Sequence, residues 1–378
     1  MRPPEHIREA LRALPTPVCA YLYDTASLRS RAASVRAALP VPATLLYAVK
    51  ANGHPAVIST LAACCDGLEV ASGGELRRAL AAGAGRIVFG GPGKTDAELA
   101  AARAAGVLIN AESVHELHRI AALGGNPDVV VRVNRPGAGL AGSHAMTGTP
   151  TPFGLDPAQL PAALAVPGVN VIGFHLHAVS NNLDGAAHAA FVAAAVDWSL
   201  ATASSFGVDL RVVNVGGGFG VDYRGDATID LTPLARVAVP RGVDLIFEPG
   251  RLLAADAGWY ATEVLDVKTT HGRTFAVVRG GTHHFRLPAA WGYSHPFTVV
   301  PVDSWPHPYP RPGAADTPID VVGELCTPRD VLARGQQVAA VRAGDVLVFG
   351  RTGAYGWEIS HHDFLHHDPP QFVVVPGP

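Results

Sequence analysis

Lysine is nearly absent from this chain, which carries only Lys50, Lys94 and Lys268 in 378 residues alongside many arginines. A sequence that uses arginine for positive charge keeps a lysine for what a guanidinium cannot do. A lysine amine can lose its proton when desolvated and form a Schiff base with a carbonyl. Charge of either sign is scarce as well. Charged residues make up 16% of the chain and the net charge is −3, so neither nucleic acid nor an anionic membrane surface has an electrostatic footprint to meet. Hydrophobic residues at 48% exclude disorder and supply a sizeable core. The four cysteines include the adjacent pair Cys64-Cys65 and form no CxxC, a poor disulfide framework. The start, Met1-Arg2-Pro3-Pro4-Glu5-His6, lacks a charged-then-apolar signal pattern. No apolar stretch is expected to reach the ~20 residues of a membrane span. Together these lacks predict a reduced, cytoplasmic protein with no membrane partner. His361, His362, His366 and His367 crowd the tail but have no cysteine or acid at a familiar metal-ligand spacing, so no metal is expected.

What is present is a rhythm. Apolar runs at 44–50, 67–72, 86–91, 107–112, 128–134, 171–178, 211–217 and 244–249 alternate with small-residue or helical stretches such as 73–82 and 95–105. Buried strands alternating with helices predict βαβ units and a parallel sheet. Eight units over this length match a (β/α)8 TIM barrel, with a doubly wound sheet as the alternative. After Arg251 the rhythm changes. Runs at 259–268, 273–280, 319–325, 345–349 and 371–375 carry Gly and Pro turns and little helix, predicting a C-terminal antiparallel β domain. The early run 18–23 is a candidate to pair with it, and the Pro-rich segment 301–318 reads as a long loop. The expected division is a barrel over 26–255 and a β domain from 1–25 and 256–378.

In such a barrel the carboxyl ends of the strands form the working face, and chemistry-bearing residues collect there. The first run ends at Lys50, the second carries Glu69 and Ser72, and the fifth holds Arg132. His175, His177 and Ser180 follow the sixth. The seventh runs into Gly216-Gly217-Gly218-Phe219-Gly220, and the eighth into Glu248-Pro249-Gly250-Arg251. Taken singly, Lys50 reads equally as a strand-end lysine reaching to solvent, and the glycine run as a tight turn. A glycine run after a strand also lets backbone amides approach an anion, phosphate above all. It is not a dinucleotide fingerprint, because Val221 stands where the last glycine belongs. Gly93-Lys94-Thr95 fails as a P-loop in the same way, with Val88 in the place of its first glycine.

A Schiff-base lysine, a phosphate loop and a strand-end acid beside an arginine describe a pyridoxal 5′-phosphate site. The chain resembles the fold-type III decarboxylases, the family of ornithine and diaminopimelate decarboxylases. The resemblance rests on YAVKAN around Lys50, EVASGGEL (69–76), HLHAVS (175–180), NVGGGFG (214–220), EPGR (248–251), GELC (323–326) and GAYG (353–356), in order over almost the whole chain. It implies an alanine racemase-like barrel with a β domain and a homodimer with shared active sites. Lys50 would hold the cofactor covalently. Gly216, Gly217, Gly218 and Arg251 would bind its phosphate, helped by Ser180 and Tyr355. His177 would stack on the pyridine ring, and Glu248 would pair with the ring nitrogen. Cys326 would enter from the partner subunit and protonate the carbanion. Without the family, Cys326 reads as a buried structural cysteine and His177 as a buried, hydrogen-bonded histidine. Glu248 favours decarboxylation, since the racemases that share this barrel place an arginine at the ring nitrogen. A non-catalytic homologue would be expected to lose Lys50 or Cys326.

Two departures from the family pattern bear on the substrate. Val179 replaces the glycine that usually precedes the serine of the histidine motif. Thr327 follows Cys326, where ornithine-type enzymes carry aspartate and diaminopimelate-type enzymes glutamate to grip a distal amine. A neutral hydroxyl cannot neutralise an ammonium, although Asp330 stands nearby in sequence. Cys-Thr-Pro resembles the branch that acts on conjugated or carrier-bound amino acids, such as citryl-diaminopropionate-type intermediates of carboxylate siderophore pathways. The expected reaction is loss of the α-carboxylate from a distally conjugated amino acid. Diaminopimelate, ornithine, lysine or arginine decarboxylation is the alternative, and racemisation the next. Arg132, Thr327, Asp330, His284 and Arg286 are the candidate substrate residues.

Overall fold

The alternating runs close on themselves. In the computed structural model, which describes residues 2–137 and 140–377, eight strands pair in parallel around a closed barrel. They are Thr44–Ala48, Gly67–Val70, Ile87–Phe89, Leu108–Ala111, Asp128–Arg132, Asn170–His175, Val212–Asn214 and Asp244–Phe247. The eighth returns to the first through Ile246 opposite Thr44, so no edge is left and the doubly wound alternative falls. Side chains of alternate residues point inward, and Leu46, Val88, Val130, Ile172, Val212 and Ile246 fill the interior as one apolar cluster.

Local chemistry starts the helices where the strands stop. Ser72 accepts from the Glu75 amide at the head of Gly73–Ala81, and Ser113 does the same for Glu116 ahead of Val114–Ala122. Thr95 and Glu98 form a reciprocal capping box on Asp96–Ala104, and Glu98 also accepts from the Gly73 amide at 2.6 Å. The longest helix, Gly185–Phe206, corrects the reading that no stretch approaches a membrane span, because it is long and apolar enough to cross one. It was missed because alanines spread its apolar character thinly over 22 residues. It packs on two barrel strands and buries Phe191, Val192, Ala195 and Val196, the behaviour of a barrel helix.

The chain divides into two units: Met1–Leu28 with Tyr223–Asp226 and Ala254–Pro378, and Arg29–Asp222 with Ala227–Leu253. The first is the β unit. Its central strand, Gly258–Thr270, pairs antiparallel with Cys19–Asp24, Arg273–Val278 and Val346–Phe349. The early run therefore does join this sheet. Period-two alternation puts Ala20 and Leu22 into an apolar cluster with Trp259, Val346 and Val348, while Tyr21 and Tyr23 stack on the other face. The sheet is mostly antiparallel. Two pairings depart from the expectation: Cys19–Asp24 runs parallel to Gln371–Val375, and Arg273–Val278 parallel to Gly313–Val322. Two strands went unread, Phe297–Val300 and Val331–Arg342, the second because Gly335-Gln336-Gln337 breaks its apolar pattern. The expected loop is shorter than 301–318, since the strand Gly313–Val322 takes its second part. What is left is tied down by Trp305 Nε1, which donates to the Tyr309 carbonyl, and by the Arg311 guanidinium lying over the Trp305 ring.

Candidate active site

The first strand delivers Lys50 by winding into a short 3-10 turn, Val49–Ala51, where the strand stops. Its Nζ donates to Glu69 Oε2 at 2.5 Å; the lysine side chain keeps 46% exposure while the glutamate keeps 5%. The eighth strand ends beside it. A Cβ on Gly250 would come within 2.9 Å of Ala51 Cβ, so glycine permits this close approach. That approach brings Glu248 next to the lysine turn.

Glu248 is buried, and burial pushes its carboxyl up to about 7, with the Glu69 carboxylate adding to the rise. Asn214 Nδ2 donates to Glu248 Oε1 at 2.6 Å, and Asn214 Oδ1 accepts from the Gly216 amide at 2.9 Å. One asparagine thus ties the acid to the glycine loop. Gly216 and Gly218 have φ of +68° and +97°, conformations that a side chain rarely adopts. A Cβ on Gly216 would strike the His177 ring, one on Gly217 the Glu248 carbonyl, and one on Gly218 the Val179 carbonyl. The loop is a backbone cradle that no other residue could build. His177 closes one side, its Nδ1 accepting from the Gly217 amide at 3.1 Å. Burial, helped by the Arg132 guanidinium, holds the His177 ring well below the usual histidine range, so it is neutral at physiological pH. Val179 lies in extended backbone, paired through Ala145, where valine is as acceptable as glycine. Ser180 follows it opposite His144, and Arg251 is buried at the start of the turn of helix after Pro249 and Gly250.

Arg132 is brought to the same face but is committed. It is buried, its Nη1 donates to Glu112 Oε1 at 2.9 Å, and its guanidinium lies 4.7 Å from the centre of the Phe153 ring. Glu112 further accepts from the Gly154 amide at 2.7 Å, which knits strand ends together. Arg132, expected as a substrate residue, is thus found buried and ion-paired to Glu112, where its charge adds to the burial that keeps His175 and His177 neutral. Sequence reading gave no role to Glu69, Asn110, Glu112 or Asn214. The available signal was that each is a polar residue inside or ending an apolar strand, and such a residue needs a buried partner.

In the β unit, Cys326 is exposed and Thr327 half-buried beside it. Asp330 is buried, and its carboxylate accepts from the backbone amides of Thr282 at 2.6 Å and Leu325 at 2.9 Å. Through these two bonds the carboxylate organises the turn around Cys326. His284, also expected at the substrate, lies in the interior of this unit. It is buried with Nδ1 3.3 Å from Cys19 Sγ, and burial lowers its ring to about 3. Arg286, by contrast, is exposed and lines an open cleft together with Thr327. Tyr355 takes the left-handed backbone at φ +56°, a conformation that costs a non-glycine residue about 1 kcal/mol.

The barrel residues fit pyridoxal 5′-phosphate on their own geometry. They provide an accessible lysine amine, a cradle of amides where any Cβ would collide, a neutral ring against it, and a buried acid with its proton near balance at neutral pH. Comparison with known proteins agrees. Residues 25–255 match the family model for the pyridoxal-dependent decarboxylase, pyridoxal binding domain. The 2-[(L-alanin-3-ylcarbamoyl)methyl]-2-hydroxybutanedioate decarboxylase of Staphylococcus aureus is 39% identical, covering 99% of this chain and 98% of that protein. Diaminopimelate decarboxylase of Deinococcus radiodurans is 36% identical, covering 98% and 93% respectively. Among solved structures, Helicobacter pylori diaminopimelate decarboxylase complexed with L-lysine superposes with a TM-score of 0.80 at 26% identity, covering 94% of this chain and 90% of that one. With the barrel, the lysine and the cradle all in place, the chain belongs to the pyridoxal-dependent decarboxylases.

Proposed function

We propose that this enzyme decarboxylates an α-amino acid whose distal end is joined through an amide to a polycarboxylate, the substrate class named for the Staphylococcus aureus relative. The observation that carries the reading is Thr327, a neutral residue beside Cys326 where enzymes of free diamino acids need a carboxylate. Asp330 nearby accepts from the Thr282 and Leu325 amides and so holds the turn that presents Thr327. A siderophore or similar secondary pathway would supply such a conjugate.

Bound pyridoxal phosphate supplies an electron sink for the pair left when the bond from Cα to the carboxylate breaks. Lys50 anchors the cofactor through Nζ, near enough to Glu69 for the amine's charge to be balanced. The amides of Gly216, Gly217 and Gly218 with Arg251 hold the phosphate, Ser180 and Tyr355 assisting. His177 presents a neutral ring for stacking, so it adds no competing cation beside the cofactor. Glu248 would pair with the ring nitrogen, its ionised form holding a proton there and so strengthening the electron sink. Cys326 of the partner subunit delivers the proton to Cα; exposure in the single chain is what a residue working in a neighbour's site requires. The working form is then a cytoplasmic homodimer with shared sites.

Mass spectrometry of reaction mixtures tests the substrate. Purified, cofactor-loaded enzyme is offered ornithine, lysine, arginine, diaminopimelate and a citryl-diaminopropionate conjugate. Loss of carbon dioxide from the conjugate alone is expected. Efficient turnover of diaminopimelate or a free basic amino acid would overturn the reading of Thr327 while leaving the mechanism standing. For the shared site, inactive Lys50→Ala and Cys326→Ala subunits are mixed. Random re-association should restore about a quarter of wild-type activity, because half the dimers then carry one intact site of two.

A further inference from the structure

The β unit contains an open cleft of about 660 Å³, lined in part by Thr327 and Arg286, whose other residues have no role above. Its charged lining is of one sign, Arg286, Arg329 and Arg334 beside the His361 ring, with no acidic residue among the lining residues described. Hydroxyls of Thr282, Tyr293, Ser294 and Thr327 complete the polar wall. Its size falls within the usual range for small-molecule sites, roughly 300–1,000 Å³.

The lining is held in place. The Ser294 hydroxyl accepts from the Arg334 amide at 2.9 Å and faces the Arg334 carbonyl at 3.3 Å, which pins the strand that carries this arginine. Tyr293 is fixed by His295 Nδ1 at 2.8 Å, and the Arg286 amide donates to the Ser360 hydroxyl at 3.0 Å, one residue before His361. Arg329 and Arg286 are exposed, and Arg334 approaches Asp320 Oδ2 only to 4.0 Å, a distance that leaves its guanidinium able to grip another anion. His361 Nδ1 is buried without a hydrogen-bond partner. A buried nitrogen of this kind is costly unless a ligand or water satisfies it.

We infer that this cleft seats the distal polycarboxylate of the substrate, with Arg329 and Arg334 as the specificity-determining residues and His361 donating to or accepting from its hydroxyl or carboxyl oxygens. The inference deepens the proposed function and rests on it. The relative's substrate ends in a hydroxybutanedioate, two carboxylates and a hydroxyl, which suits a pair of guanidiniums and a lone imidazole nitrogen. Thr327 joins the cleft to Cys326 in the chain, so the neutral residue that fails a distal amine borders a surface made for distal acids. Arginine at 329 and 334 is then the positive counterpart of the missing acid at 327.

The test uses calorimetric titration of the cofactor-loaded enzyme with citrate, tricarballylate and acetate, followed by steady-state kinetics on the conjugate. Citrate and tricarballylate should bind and acetate should not. Arg329→Ala and Arg334→Ala should each weaken citrate binding and raise KM for the conjugate about tenfold, with kcat nearly kept, while the lysine variants retain most of both. Citrate affinity unchanged in the double alanine variant, or conjugate turnover with no citrate binding at all, overturns the cleft while sparing the decarboxylase reading. Arginine-dependent citrate binding without conjugate turnover keeps the cleft as a polycarboxylate site and sinks the substrate reading instead.

Discussion

Lys50 and Lys94 stand in the same barrel, each ion-paired to a glutamate, and their surroundings give them opposite occupations. Lys94 is 1% exposed, and its Nζ donates to Glu116 Oε1 at 2.6 Å, the Gly91 carbonyl at 2.7 Å and the Asn110 carbonyl at 3.0 Å. All three of its protons are spent, so it is a structural staple between strand ends. Lys50 keeps nearly half its side chain exposed beside a glycine cradle and a high-pKa acid. Ion pairing therefore does not distinguish a catalytic lysine from a structural one. Exposure separates these two, 46% of the side chain for Lys50 against 1% for Lys94.

The sharpest way to break the comparison is to remove each amine in turn. Lys50→Ala should lower activity by about 10⁴-fold or more and abolish the visible absorbance of bound cofactor. Its urea midpoint should stay close to wild type. A variant that still binds and turns over would remove Lys50 from the chemistry. Lys94→Met should do the reverse, leaving Glu116 buried without its cation. Chemical denaturation should show a loss of about 3–5 kcal/mol, with activity per folded molecule largely retained. An unaltered midpoint would mean that the buried pair contributes nothing.

The smallest effect concerns the acids. Glu248 has its folded pKa raised to about 7 from an ordinary carboxylate value of 4.5. The folded apoprotein thus holds a proton that the unfolded chain releases. Its stability contribution is full below about 4.5 and is lost as pH rises through about 7. Glu248→Gln should flatten this part of the stability profile by on the order of 2 kcal/mol, read by denaturation of the apoprotein across that window. A profile identical to wild type would remove Glu248 as the titrating group.

Much of this was legible in one dimension. Eight apolar runs at regular spacing lead to eight barrel strands because a strand buried on both faces must be apolar throughout. The lysine, glycine loop and acid were legible because each interrupts such a run with a residue that its strand does not need. Val331–Arg342 was not, because a half-exposed strand carrying Gly335-Gln336-Gln337 looks like a turn. For Arg132, Asp330 and His284 the sequence shows a polar residue near a motif, whereas the buried partner of each is set only by the fold.

By itself, then, the sequence determined the eight barrel strands in their order, the backbone positions that only glycine can occupy, and the short list of lysines available for covalent chemistry. These are local matters of periodicity, Cβ sterics and functional group. Tertiary structure alone decided which polar groups are spent. It committed Lys94, Arg132 and Asp330 to buried partners far apart in the chain, and raised Glu248 by burial beside Glu69. It also gathered Arg286, Arg329 and Arg334 around one cleft. Desolvation and pairing depend on neighbours in space, and those neighbours exist only once the chain has folded.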